Sequence, residues 1–305
     1  MMRTVVFLLV PGLHLLDLAG PAQAFHTAAD LGAGYELRYV AEQEDVPTAQ
    51  GLATRASTTW PDLGRDDLVV VPGWRGSSLL SHSPLREPAL QALRRHHRNG
   101  GTVASVCSGA DALGRAGLLD GRRCTTHHEL QAELATRYPR AAVQHDVLFS
   151  DDDRVVTSAG IASGIDLALH LIAQQHGPAL SARVARSMVV YVRRNGEHPQ
   201  ESAMLRHRGH LSDVVHRVQD LIDRDFTRTL PLSTLAAHGG VSERTLTRLF
   251  VTTTGTTPLR YQQALRVEHA QHLIGQGATI ESAARATGFE DARMLRRLRA
   301  RALAG

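Results

Sequence analysis

Residues 3–158 alternate between short apolar runs and longer stretches in which apolar residues recur at helical spacing. The runs that predict β-strands are Arg3–Val10, Tyr35–Val40, Leu68–Val71, Thr102–Val106 and Arg154–Ser158. The stretches that predict helices are Pro21–Leu31, Pro84–Asn99, Ser108–Leu118 and Glu129–Tyr138. Strands that are apolar along their whole length need cover on both faces. The alternation therefore predicts an α/β fold with a mostly parallel sheet and helices on both sides.

The length and composition favour a soluble protein of two domains. At roughly 150 residues per domain, a chain of 305 residues is expected to form two. The first apolar run is only about seven residues long and Asp17 follows it closely, which favours a buried strand over a signal peptide. No apolar stretch approaches the roughly 20 residues that a membrane span needs. Two cysteines exclude a disulfide scaffold and fit a reducing compartment, so we expect a cytoplasmic protein.

The net charge of +4 is confined to the C-terminal part of the chain. Residues 1–210 contain 21 Arg and 21 acidic residues, whereas residues 211–305 contain 13 Arg and 9 acidic residues. A basic terminal segment is common in proteins that bind anions, nucleic acids among them. Charge alone also fits a solvated helix face, so this assignment requires a motif.

The carboxyl ends of the predicted strands contain the candidate ligand-binding residues. Ligands of open α/β sheets bind at that edge, which directs attention to Asp17, Gly73, Trp74 and Cys107. Cys107 directly follows a strand and opens a helix among small residues, as in a sharp turn that carries one side chain outward. A thiol at a helix N terminus meets the positive end of the helix dipole, which predicts a lowered pKa. Cys107 is therefore a candidate nucleophile or ligand-sensing thiol, and a buried structural cysteine is the alternative.

Residues 3–195 resemble the ThiJ/PfpI branch of class-I glutamine-amidotransferase-like domains, as found in GlxA-type transcription regulators. The matching strings are LLDLAGPAQAF (15–25), VVVPGW (69–74), VCSGADALGRAGLLDGRRCTTHHE (106–129) and VVTSAGIASGIDLALHLI (155–172). The resemblance implies a Rossmann-like, flavodoxin-like sheet with Cys107 at the turn and Asp17 near it. Hydrolases of this superfamily usually have a His directly after the nucleophilic Cys, where this chain has Ser108. This departure argues against peptidase or glyoxalase chemistry, because Ser108 supplies no base beside the thiol.

The string Thr125-Thr126-His127-His128 supplies further candidates for the same cleft. One hypothesis places His127 near the thiol, as a ligand-binding residue together with Ser108. In the alternative, Thr125 or Thr126 caps the following helix and the imidazoles are partly exposed, and we favour this role for the threonines. No HExxH or paired-cysteine spacing occurs, so neither a metal nor a cofactor is predicted.

Isonitrile hydratases are similar through an Asp and Cys pair that Asp17 and Cys107 match. In such an enzyme the thiolate attacks the electrophilic carbon and the carboxylate relays a proton. Asp17 fits equally well as an acid that caps a loop. An enzyme hypothesis therefore stays open beside a non-catalytic one.

The C-terminal part of the chain contains no strand-like run. Its polar segment at 196–210 lacks periodic apolar residues and is predicted to be a linker. The predicted domains are therefore 1–195 and 211–305, and the second begins with a helix at Leu211–Phe226.

A helix-turn-helix pattern occurs twice in this C-terminal domain. A short helix, Pro231–His238, is followed by a Gly-Gly turn and by a helix that Ser242 caps. The pattern recurs 48 residues later, where Gly288 repeats Gly240 and Asp291 stands near the capping position.

Residues 211–300 resemble the AraC/XylS DNA-binding domain through LSTLAAHGGVSERTLTRLFVTTTGTTPLRYQQALRVEHAQHLI (232–274) and TIESAARATGFEDARMLRRLR (279–299). The resemblance implies two recognition helices joined by a linking helix, Pro258–Ile274, which enter major-groove segments about one helical turn apart. The residues expected to face DNA are Ser242, Glu243, Arg244, Thr247, Arg248, Arg293, Arg296 and Arg297.

The second unit departs from the family in its last helix. Met294, Leu295 and Leu298 are expected to face inward. The family usually has aromatic residues where this chain has Leu295 and Arg299, followed by a Gly-x-Ser-Pro motif that this chain does not have. Arginine is expensive to bury, which predicts a short or frayed last helix and a weakened second groove contact.

These patterns lead to three functional hypotheses. The first is a sequence-specific regulator of transcription that binds double-stranded DNA, responds to a small metabolite in its first domain and forms a homodimer, with no membrane association. The second is a Cys-dependent hydratase of the isonitrile type that carries a DNA-binding module. The third reduces the first domain to a dimerisation scaffold.

Overall fold

The computed structural model describes residues 2–76, 79, 85–190, 194–197, 199–275 and 277–302. The chain divides into two compact units, Met1–Gln200 and Glu201–Gly305. Among the described residues, every helix is too short or too polar to cross a membrane.

The first unit is built around a six-stranded sheet with the strand order β2-β1-β5-β6-β10-β9. The strands of the unit are β1 (Arg3–Leu8), β2 (Tyr35–Val40), β3 (Asp45–Pro47), β4 (Ala53–Arg55), β5 (Leu68–Val71), β6 (Thr102–Val106), β7 (Arg123–Cys124), β8 (Ala142–Val143), β9 (Phe149–Asp152) and β10 (Val155–Ser158). The helices are α1 (Leu15–Asp30), α2 (Glu87–Arg98), α3 (Ala110–Arg115), α4 (Gln131–Arg137), α5 (Ser163–His176) and α6 (Pro178–Ser187). Neighbouring strands of the main sheet are parallel except for β9, which pairs antiparallel with β10. The predicted α/β fold is confirmed.

The central strands are buried on both faces, as their unbroken apolar sequence predicts. In β1, Val5 and Phe7 belong to a core with α1 and α5, whereas Val6 and Leu8 belong to a second core with α2. Successive side chains of a strand point to opposite faces, so one short strand contributes to both cores. The sheet is thereby fixed between two helix layers, and its carboxyl edge is held in place.

Some elements differ from the sequence-based expectation. Helix α1 begins at Leu15, ahead of the predicted start at Pro21, and the proline ring packs beside Gly164 of α5. Pro84, the predicted start of the second helix, lies outside the described residues, and α2 begins at Glu87. Strand β9 and helices α5 and α6 were not predicted.

The second unit is entirely helical in its described residues. Its helices are α7 (Ala203–Arg206), α8 (Asp213–Asp225), α9 (Leu232–Gly239), α10 (Glu243–Thr254), α11 (Pro258–Gly275), α12 (Ile280–Ala286) and α13 (Ala292–Ala302). Helix α7 lies within the segment predicted to be a linker. The predicted helix-turn-helix pairs correspond to α9–α10 and α12–α13.

Two small cores hold the second unit together, and α11 contributes to both. Tyr261 at the start of α11 packs with the core of α8, α9 and α10, which includes the fully buried Phe250. Ala270, further along α11, packs with Leu295 in the core of α12 and α13. The linking helix therefore connects the two helix-turn-helix pairs, as the resemblance implies.

Candidate functional site

Cys107 lies at the sharp turn that the sequence predicts. It directly follows β6 and begins a single 3₁₀ turn, Cys107–Gly109, which leads into α3. Its φ angle is +56°, a left-handed conformation that costs about 1–3 kcal/mol in a non-glycine residue and is concentrated at functional sites. The turn passes so close to β5 that an ideal Cβ atom at Gly109 would lie 2.2 Å from the Val71 carbonyl oxygen.

The Cys107 side chain fits into its site because two neighbouring residues are glycines, which have no Cβ atom. An ideal Cβ atom at Gly73 would lie 2.7 Å from Cys107 Cβ and 2.5 Å from Asp17 Oδ2. A Cβ atom at Gly160 would lie 2.4 Å from Cys107 Cβ and 3.0 Å from its Sγ. Gly73 and Asp17 were predicted for this site, and the structure brings both beside Cys107. Gly160 was missed, although its position directly beyond β10 at the carboxyl edge of the sheet was a usable signal.

Asp17 is fully buried on the first turn of α1. Its Oδ1 accepts a hydrogen bond of 2.7 Å from the Ile161 amide. Its Oδ2 lies towards the Gly73 amide and the Cys107 thiol, whose weak interactions with the carboxyl lower its pKa, but it makes no hydrogen bond of good geometry among the described residues. Burial raises the pKa of this carboxyl above its usual range. The second oxygen is therefore a buried polar group that is available to a ligand or to water.

The thiol of Cys107 is held in its neutral form. Its pKa is raised to about 12, first because burial disfavours the thiolate and second because of the negative charge of Asp17. The sequence-based expectation of a lowered pKa was wrong in sign. A helix dipole contributes little in one 3₁₀ turn, whereas removing a thiolate from water is costly.

Ser108, the residue after the thiol, holds the backbone of Trp74 in place. Its Oγ accepts a hydrogen bond of 2.8 Å from the Trp74 amide and donates one of 3.0 Å to the Trp74 carbonyl. Both groups are buried. The hydroxyl is fully engaged with the backbone, so Ser108 positions the Gly73-Trp74 loop and does not supply a base for Cys107.

Thr125 and Thr126 connect their own segment to the Cys107 turn and to β10. Thr126 Oγ1 donates a hydrogen bond of 2.8 Å to the Cys107 carbonyl, and the Thr125 amide donates one of 2.8 Å to Thr157 Oγ1. The residue that precedes the next helical turn is His127, which makes no side-chain cap. The prediction that a threonine caps this helix was therefore wrong: both threonines point into the protein instead.

His127 lies at the surface of this region, with about 25% of its side chain exposed. Its ring stacks on His128 with 4.3 Å between centroids, and its Nδ1 lies 3.7 Å from a carboxylate oxygen of Glu129. The negative charge of Glu129 also contributes to the raised pKa of Cys107. These contacts of the His127 ring are therefore with residues close to it in the sequence.

The first helix-turn-helix pair has the local geometry that the sequence predicts. Gly240 ends α9 in the left-handed conformation, and Ser242 caps α10 by accepting a hydrogen bond of 3.2 Å from the Thr245 amide. Arg244 and Arg248 are exposed and, like Glu243, point away from the core. The set of predicted residues on α10 therefore forms one surface.

Thr247 lies on the same surface but is only half-buried. Its hydroxyl donates a hydrogen bond of 2.9 Å to the Glu243 carbonyl one turn earlier. The methyl group of Thr247 is consequently the part that is free to contact a base.

The second pair presents its arginines on α13. Asp291 Oδ1 accepts a hydrogen bond of 2.8 Å from the Arg293 amide, so the residue near the predicted capping position does contact the start of this helix. Arg293, Arg296 and Arg297 are exposed, and Arg296 forms an ion pair with Glu281 of α12. Leu295 is fully buried, as expected.

Arg299 occupies the position where the family resemblance leads one to expect an aromatic residue. It is half-buried, and its Nε atom has no hydrogen-bond partner among the described residues. Helix α13 nevertheless runs for 11 residues, so the prediction of a short helix was wrong. The long aliphatic part of arginine can cover apolar surface while its head remains near water.

Comparison with known proteins supports both units. Residues 3–174 match the DJ-1/PfpI family, and residues 235–304 match the helix-turn-helix domain. The HTH-type transcriptional regulator GbdR of Pseudomonas aeruginosa is 32% identical over 280 residues, which cover 90% of this chain and 74% of GbdR. The isonitrile hydratase of Pseudomonas putida is 33% identical over 168 residues, 54% of this chain and 68% of the hydratase.

The fold is also found among solved structures. A ThiJ/PfpI family protein from Pseudomonas syringae superposes with a TM-score of 0.55 at 22% identity, over 79% of this chain and 91% of that one. These matches confirm both family resemblances derived from the sequence motifs. The chain therefore belongs to the DJ-1/PfpI family and, within it, to the HTH-type transcriptional regulators.

Proposed function

We propose that this regulator binds specific double-stranded DNA through α10 and α13 and binds a small metabolite beside Cys107. The sensor, linker and DNA-binding segments proposed for these roles are 1–195, 196–210 and 211–305. The single observation that supports DNA binding best is the capped, arginine-bearing face of α10. The proposed metabolite site is supported by the buried Asp17 Oδ2, which makes no hydrogen bond of good geometry among the described residues.

The exposed face of α10 carries side chains that can form hydrogen bonds with the base edges in a major groove. Arg244 and Arg248 are one helical turn apart, exposed, and make no ion pair among the described residues. Arginine can donate two hydrogen bonds to guanine, and Glu243 can accept from cytosine. Some of these arginines will contact phosphate, which provides affinity without sequence information.

Replacing Arg248 with Ala tests the recognition role of α10. We expect R248A to weaken binding to the cognate site by about 1–3 kcal/mol if the guanidinium contacts a base. The measurement is fluorescence anisotropy with a duplex recovered by genome-wide mapping of bound sites, at fixed salt, beside a scrambled duplex. An equal loss on both duplexes would make Arg248 a phosphate contact. Unchanged affinity for both would show that Arg248 does not contact DNA.

The site in the first unit suits a small polar ligand. It combines a neutral thiol, a buried carboxyl oxygen that makes only weak contacts with its neighbours, and two glycines that keep the backbone close. Buried polar atoms in native proteins are nearly always satisfied by protein, water or ligand. A metabolite that donates a hydrogen bond to Asp17 Oδ2 would fill this requirement.

Cys107→Ala separates the sensing and scaffold hypotheses. With a reporter driven by a mapped promoter, the wild-type chain should change expression across a panel of nitrogen and carbon sources. In the sensing hypothesis C107A alters that response but keeps DNA binding. If the response is identical in the variant and the wild type, Cys107 takes no part in sensing. If the wild-type chain itself shows no response, the first unit acts only as a scaffold.

A hydratase activity is the second candidate, because a carboxyl with a raised pKa is a suitable proton donor beside a thiol. The raised pKa of Cys107 argues against it, since the thiolate is the nucleophile. Turnover of a simple isonitrile by the wild-type chain and its loss in C107A would establish the enzyme. We also propose a cytoplasmic homodimer, which sedimentation analysis of the purified chain would test.

A further inference from the structure

Arg266 lies near the middle of α11 and donates hydrogen bonds to three backbone carbonyls. Its Nε contacts the Phe226 oxygen at 2.6 Å, and its Nη2 contacts the Arg228 oxygen at 2.8 Å. Its Nη1 contacts the Gly288 oxygen at 2.8 Å. Phe226 and Arg228 follow the end of α8 in the first half of the unit, whereas Gly288 lies in the turn of the second helix-turn-helix pair. One guanidinium therefore joins both halves.

Arg266 is partly buried, which lowers the pKa of its guanidinium, and the carbonyl oxygens around it partly offset that cost. The carbonyls at the C-terminal end of a helix carry partial negative charge, and Arg266 lies between the C-terminal ends of α8 and α12. The planar guanidinium has five donors in a fixed arrangement and can reach three acceptors at once. Lysine has a single ammonium on a flexible chain, so it cannot reproduce this set of contacts.

Further contacts at the same place show that the two halves meet closely. Gly288 has a φ angle of +81°, and an ideal Cβ atom there would lie only 1.9 Å from the Thr227 carbonyl oxygen. The Arg266 guanidinium also lies over the Phe289 ring, 5.8 Å from its centroid. One turn earlier on α11, Gln262 Nε2 donates to the Phe226 and Arg228 oxygens at 2.9 and 2.7 Å.

We propose that Arg266 is a positioning residue that fixes the separation and angle of α10 and α13. Each recognition helix belongs to its own small core, so their relative placement depends on α11 and on the contacts across it. Two binding elements held at the right distance bind one duplex far more tightly than either does alone. This inference rests on the proposed DNA-binding function, because it assigns Arg266 to the bipartite recognition of one site.

The test compares a complete site with half of it. The full-length chain selects its preferred duplex from a random 35-base-pair library, and one half of that duplex is then scrambled. We expect the wild-type chain to bind the complete duplex at least about 100-fold more tightly. Arg266→Met should reduce that ratio about tenfold or more and leave affinity for the half that contacts α10 within about twofold. Arg266→Lys should fall between the two.

Arg260→Met is the matched control, because Arg260 is exposed on the same helix and its guanidinium makes no hydrogen bond among the described residues. It should leave the ratio unchanged. A loss of equal size on both duplexes in R266M and R266K would show a merely structural role and overturn the proposal, as would an unchanged ratio or a wild-type site with only one half. Failure of the wild-type chain to select any duplex would instead overturn the proposed function.

Discussion

Cys107 should react with a small aromatic disulfide on the order of 10² times more slowly than an unperturbed cysteine at pH 8. With a pKa of about 12, only about one thiol in 10⁴ is ionised at that pH, compared with about a quarter for a pKa near 8.5. A more basic thiolate is intrinsically more nucleophilic, which recovers roughly 1.5 of the 3.5 orders of magnitude. The measurement is the exchange rate in a Cys124→Ala variant, where Cys107 is the only cysteine.

The pH dependence of the same rate is equally informative. It should rise about tenfold per pH unit from 7 to 9, because the thiolate fraction does so well below the pKa. Asp17→Asn should increase the rate, since the negative charge that disfavours the thiolate is removed while an amide oxygen can still accept from Ile161. A rate that levels off between pH 7 and 9 would contradict a neutral resting thiol and would favour the hydratase.

Replacing Phe250 with Ala should lower the unfolding free energy of the second unit by about 3–5 kcal/mol, the usual cost of this change in a packed core. Phe250 is fully buried, and its ring lies 5.8 Å from that of Tyr261. For a unit of this size, the loss corresponds to a fall of more than about 10 °C in its melting temperature. Circular dichroism at 222 nm of the full chain measures it.

The chain contains an internal control for this experiment. Both tryptophans, Trp60 and Trp74, lie in the first unit, so their fluorescence reports the unfolding of that unit alone. F250A should leave the tryptophan transition in place, whereas the part of the dichroism change that comes from the helices of the second unit should move to lower temperature. Val251→Ala removes a neighbouring side chain that is 40% exposed and should shift neither. A matching shift of both transitions in F250A would mean that the two units unfold as one.

The elements that could be predicted are those for which one feature of the sequence is decisive. The apolar runs of β1, β5 and β6 identify buried strands, and the repeated glycine turn with its polar cap identifies the helix-turn-helix pairs. By contrast, β9 has the acidic sequence FSDD, which suits an edge strand but gives no apolar alternation. Helix α5 is apolar around most of its surface, so no helical period is visible in its sequence.

The sequence predicted some residues of the candidate site but not its chemistry. Asp17 and Cys107 could be placed at one sheet edge because parallel strands share their carboxyl ends. The contact between Asp17 and Ile161 spans 144 residues and has no local signature. The sign of the Cys107 pKa shift depends on burial, which the sequence does not give. Arg266 has the sequence of an ordinary basic helix residue, and only the packed unit shows its three carbonyl partners.

The two hydrogen bonds between the Ser108 hydroxyl and the Trp74 backbone limit how Ser108 can be exchanged for the His that the family resemblance leads one to expect in hydrolases. Introducing an imidazole at position 108 would restore the residue type expected beside a catalytic thiol, but it would also detach the loop that carries Gly73. Conversion in one step would therefore yield a protein with a loosened site rather than a new catalyst. An evolutionary route between the two activities requires a compensating change in the Gly73-Trp74 loop first, which separates them by at least two mutations.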